Sequence, residues 1–184
     1  MHIPTNCINQ NRSGALNMKL NKTSEEVIRF KDFSGYLLIR KFKYDREYSN
    51  PIAEFMKTPY FVWQEKFRNK INVSINHSSP IANWNFHGLY DIKKLHSKDF
   101  EEILAIEFVN RFNHFIESEI GFDKELKESK KLLDNLIDDD SKYYLIRDLP
   151  DNIRHEWSMF EFFLSGFKIC SKRKILTAIE CGLD

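Results

Sequence analysis

Six histidines are the side chains here best suited to acid–base or metal chemistry near neutral pH, and their spacing decides what they could do. His155-Glu156 begins an H-E-x-x-H pattern, but Met159 stands at the second ligand position. The two imidazoles that a zinc helix needs on one face are therefore absent. His77, His87 and His96 fall in a polar, irregular stretch with Asp91 and Trp84. A loop could gather these imidazoles around a carboxylate for metal binding or general acid–base work. The simpler reading is a loop whose Asn, Ser and His side chains satisfy its own backbone.

Glu107, Arg111, His114 and Ser118 follow helical spacing and form one polar seam. Facing a cleft, Glu107 could tune His114; otherwise Glu107 and Arg111 are an ordinary intrahelical pair. No nucleophile elbow surrounds any serine or cysteine. An enzyme reading therefore rests on a His-centred site drawn from Glu107, His114, His77 and His87, with no metal and no cofactor expected.

Charge gives a second line of inference. Residues 1–100 hold 16 basic against 9 acidic side chains, whereas residues 101–140 hold 12 acidic against 5 basic. The acids include Glu117, Glu128, Asp134 and the run Asp138-Asp139-Asp140. On the outer side of two helices they would form a negative surface able to steer a basic partner. Phe162, set on the polar side of a predicted helix, could serve as a contact anchor. Equally, the acids could pair with the chain's own bases. Interleaved basic and aromatic residues at Arg40-Lys41-Phe42-Lys43-Tyr44, with Lys172-Arg173-Lys174, could bind a nucleic acid. A sequence pI near 7.7 and six unclustered glycines argue against that and against a phosphate-binding loop.

The elements that must position these groups read as mainly helical. Gly and Pro are scarce, which argues against many tight turns. A short helix is expected from Thr23 to Phe30, a strand over Tyr36–Tyr44, and a helix opened by Asn50-Pro51. Thr58-Pro59 should break it before a second helix to about Lys70. A brief strand at 71–76 and another at Leu89–Ile92 complete the N-terminal half.

Asp99 with Glu102 predicts a capped central helix to Ile120, its apolar arc running from Leu104 through Phe108, Phe112, Phe115 and Ile116. A helix over 123–138 should bury Leu126, Leu133, Leu136 and Ile137. Tyr143–Asp148 fits strand or helix. Further helices are expected over 151–167 and from Ser171 to Ile179. The expectation is one mainly α (α+β) domain over 18–184 with a Phe-rich core, preceded by a flexible tail at 1–17.

No apolar run approaches a membrane span, and three widely spaced cysteines suit neither a disulfide framework nor a metal site. A cytoplasmic protein is expected. Together these features point to a non-catalytic protein of inhibitor or immunity type that occludes a basic protein partner. A small His-centred enzyme and a nucleic-acid module using the basic strand are the alternatives.

Overall fold

A computed structural model of the chain describes residues 18–30, 35–61, 86–120, 123–155 and 161–183. Its centre is a six-stranded antiparallel sheet rather than a helical bundle. The strands are β1 (Leu20–Phe30), β2 (Gly35–Tyr44), β5 (Phe100–Ile103), β6 (Lys142–Ile146), β7 (Phe162–Cys170) and β8 (Ile175–Leu183), in the spatial order β1-β2-β8-β7-β6-β5. A separate two-residue hairpin pairs β3 (Phe86–His87) with β4 (Tyr90–Asp91). Three α-helices occur among the described residues: α1 (Pro51–Met56), α2 (Ala105–Ile120) and α3 (Asp123–Asp134).

The sheet is covered on both faces, and this overturns the mainly helical expectation. On one side α2 and α3 bury Phe108, Phe112, Ile116 and Leu133 against Leu37, Ile39, Leu145, Ile179 and Cys181. On the other, α1 and the hairpin bury Phe55, Phe61 and Leu89 against Leu38, Phe42, Phe167, Leu176 and Ala178. We call these the helix face and the loop face. A strand covered on both faces has no polar side to reveal a period of two. Every residue of β8 from Leu176 to Leu183 is buried. The segments 151–167 and 171–179, expected as helices, are therefore a 3-10 turn at Asp151–Ile153 followed by β7, and the β7–β8 hairpin. Residues 23–30, also expected as a helix, pair with β2 as the long edge strand β1.

The central helix begins later than expected. Asp99 is buried below a 3-10 turn, where its carboxylate accepts the His96 N–H at 2.8 Å and pairs with Arg147 at 3.0 Å. Residues 100–103 then form the edge strand β5, and the Leu104 carbonyl accepts the Phe108 N–H at 2.9 Å as α2 starts. Leu104 and Ile137, placed in the core by periodicity, are instead exposed. Tyr143–Ile146 resolves as strand within β6.

Other expectations hold. β2 spans the predicted strand, and the Asn50 side chain caps α1 by accepting the Ala53 N–H at 3.0 Å, with Pro51 following. Phe42, Phe55, Phe61, Phe100 and Phe167 make the Phe-rich core literal, with ring centroids 4.8–6.5 Å apart in successive pairs. The tail at 1–17, the helix expected beyond Phe61 and the strand at 71–76 lie outside the described residues.

Candidate functional site

The most reactive-looking constellation lies inside the loop face. His87 precedes Gly88, which has φ +58° in the two-residue turn of the β3–β4 hairpin. A Cβ at Gly88 would fall 2.2 Å from the Phe163 ring, so the turn needs glycine for both backbone and space. The hairpin presses the fully buried imidazole against Phe61, stacked at 3.9 Å. His87 Nδ1 lies 3.0 Å from the Phe61 carbonyl, which can only accept, so Nδ1 carries a proton. In the neutral ring, Nε2 then accepts the Ser165 hydroxyl at 2.8 Å.

Ser165 faces Glu180 in the β7–β8 register, and Glu180 is paired with Arg40 at 2.7 Å, both residues buried. Arg40 Nε is buried with no hydrogen-bond partner among the described residues. A serine bonded to an oriented imidazole has the geometry of an activated nucleophile. Here both partners are buried in the core, so the arrangement satisfies buried polar groups and ties the β3–β4 hairpin to β7.

The other proposed catalytic groups among the described residues do not join it. Glu107 and His114 lie exposed on α2, across the sheet from His87, with Glu107 3.7 Å from Arg111. Ser118 donates to the Phe115 carbonyl at 3.1 Å. His77 lies outside the described residues.

The acidic block divides into two groups. Asp138 Oδ2 is 2.7 Å from both Lys168 and Arg173, and Asp140 is 2.7 Å from Lys172. Partial burial acts to raise the Asp138 carboxyl, but hydrogen bonds from Lys168 and Arg173 outweigh it and hold it well below the usual range. The Lys172 hydrogen bond likewise lowers Asp140. Glu117 bridges α2 to α3 through Lys130 at 3.5 Å, and Glu128 lies 4.0 Å from Lys124. Asp134 and Asp139 are exposed, and no described cation pairs with either.

Four large hydrophobics are exposed among the described residues: Leu104 (71 %), Ile106 (56 %), Phe162 (44 %) and Ile137 (42 %). Leu104 and Ile106 flank the start of α2, and Ile137 follows α3. Phe162 pairs with Leu183 of the helix-face core, so it too belongs to that side, though on a strand rather than the predicted helix. Phe162 was legible as an exposed apolar residue. Leu104 and Ile137 fit inward helical stripes, and Ile106 falls off the stripe that runs from Leu104 through Phe108 and Phe112. No described helix is long and apolar enough to cross a membrane. Compared with known proteins, the chain matches no family model and no curated protein sequence.

Proposed function

We propose that the protein acts by binding rather than catalysis, occluding a basic protein partner with the outer surface of its helical layer, as an inhibitor or immunity-type protein does. The observation that carries this reading is the exposure of Leu104 and Ile106 next to Glu101 and Glu107, with Ile137 between Asp134 and Asp139. Apolar anchors inside a charged rim are what a specific interface uses for affinity, and carboxylates speed the encounter with a basic partner. Asp138 and Asp140 tie the turn after α3 to the β7–β8 hairpin in this arrangement. Asp134 and Asp139 keep their charge for the partner, with Glu117 and Glu128 on the flank.

Capture from source cells with the wild-type chain and with Leu104→Asp/Ile106→Asp, side by side, tests the proposal. Both positions are exposed, so the variant should fold. The expected result is a basic protein retained by the wild type and lost by the variant, with an association rate that falls as salt rises. An acidic retained protein, or one that binds both forms equally, overturns the reading.

A further inference from the structure

At one end of the sheet β1 begins, β2 ends and β7 turns into β8. The backbone is tied there by the Tyr44 N–H, which donates to the Lys174 carbonyl at 3.0 Å. Between these segments lies an open cleft of about 570 Å³ lined by Lys19, Lys43, Lys172, Arg173 and Lys174, with Asp45 the one carboxylate in its wall among the described residues. That volume is within the range of small-molecule sites.

Asp138 and Asp140 hold Arg173 and Lys172 in place, each at 2.7 Å. No ion pair reaches Lys19, Lys43 or Lys174 from another described residue. Asp45 already accepts the Tyr48 hydroxyl at 2.6 Å. The cleft therefore concentrates positive charge that its own acids do not cancel.

The hairpin turn adds an independent sign. Lys174 has φ +54°, and it is the one non-glycine among the described residues with positive φ. Glycine or asparagine suits that conformation better than lysine. Non-glycine residues held in this sparsely populated backbone region cluster at functional sites. Here that conformation keeps a cation at the rim of the cleft.

We propose that this cleft binds a compact phosphate-bearing ligand, of the size and charge of a diphosphate or nucleotide. Lysines bind phosphate as point charges, and several converging on one cleft suit a ligand carrying more than one negative charge. A polynucleotide is a poorer fit. Its backbone must leave the cleft, and exposed acids flank it: Glu47 past the end of β2, and Asp139 beside the Lys172 and Arg173 pairs. The cleft adjoins the acidic surface, sharing with it the Asp138–Arg173 and Asp140–Lys172 pairs, but its charge argument does not depend on the reading given for that surface.

Titration calorimetry of the full chain at about 50 mM salt, with inorganic pyrophosphate, ADP and adenosine, tests the proposal. Saturable binding of pyrophosphate, weakening with salt, is expected, and none of adenosine alone. ADP binding no tighter than pyrophosphate identifies a phosphate site, and tighter ADP binding places a base in the cleft; both support the inference. Lys174→Gly is the decisive variant, because it removes the charge while relieving the backbone. Its melting temperature should equal or exceed that of the wild type, while pyrophosphate affinity falls at least about five-fold. Lys43→Gln should weaken binding similarly, and Lys124→Gln on α3 should leave it unchanged. Absence of saturable pyrophosphate binding, or equal affinity in Lys174→Gly, overturns the proposal. Tighter binding of a single-stranded oligonucleotide that the same variants abolish overturns it in favour of a polynucleotide.

Discussion

Glu180 Oε1 lies 2.7 Å from Arg40 Nη2 across adjacent central strands, with both residues buried on the loop face. Arg40 also lies over the Phe42 ring, 5.7 Å from its centroid. Removing one member takes the close opposite charge away from a buried ion, whereas removing both exchanges a costly desolvation for apolar packing. Arg40→Met should therefore destabilise by about 3–5 kcal/mol, and Arg40→Met/Glu180→Leu should recover most of that. Urea denaturation of both single variants and the double variant measures the coupling directly. A double variant as unstable as the sum of the singles would show that the pair is not a unit.

This pair also shows where the sequence stopped being informative. Arg40 sits in an alternating basic–aromatic strand, and its neighbours Lys41 and Lys43 are exposed as that pattern implies. Nothing local distinguishes Arg40, because its partner is 140 residues away. Local signals worked where the physics is local, as in the Asn50-Pro51 cap of α1 and the Phe108–Phe112–Ile116 stripe of α2. They failed at β7 and β8, where cover on both faces removes alternation and leaves apolar runs that suit a helix equally. One clue was available there: Ser165, Thr177 and Glu180 are polar residues within apolar runs, and all three are buried. At the candidate surface, exposure of Asp134 and Asp139 was legible, while the pairing of Asp138 with Lys168 and Arg173 required the tertiary fold.

The Asp138 pairing makes stability depend on acid. Partial burial opposes ionisation, yet the Lys168 and Arg173 hydrogen bonds leave the folded-state pKa below the unfolded value of about 3.9. A group depressed in the folded state contributes its stabilisation fully above the unfolded value and loses it as pH falls through the folded one. The stability gap between the wild type and Asp138→Asn should thus be largest near neutrality and shrink between about pH 5 and lower pH. Thermal melts of both proteins across that range measure it. A gap that does not change with pH would mean that Asp138 acts only through shape.

Ser165 is a further test, because its geometry with His87 admits two readings. A sealed, structural hydroxyl predicts that Ser165→Ala leaves the buried Nε2 without that bond, at a cost of about 1–3 kcal/mol. It also predicts that the native protein resists a fluorophosphonate probe, since Ser165 and His87 are both buried. Mass spectrometry after exposure to the probe settles the second point. Labelling of Ser165 in the folded chain would give the Ser165–His87 pair a catalytic role that its burial now argues against.

Gly166, one residue further along β7, faces the other way and sets how closely α2 approaches the sheet. A Cβ there would lie 2.5 Å from Phe108 Cε2 and 2.8 Å from the Tyr144 carbonyl oxygen. The ring could turn only by disturbing its packing on Phe112 and Tyr143, at 5.1 and 5.5 Å, and the carbonyl belongs to the neighbouring strand β6. Gly166→Ala should therefore destabilise by about 1–3 kcal/mol through overpacking, although alanine suits a strand no worse than glycine. Phe108→Leu made in the same chain should relieve part of that cost, because it removes the nearest clashing atoms but not the carbonyl. Chemical denaturation of the three variants decides the matter. A Gly166→Ala protein as stable as the wild type would place the close approach of α2 elsewhere than at this residue.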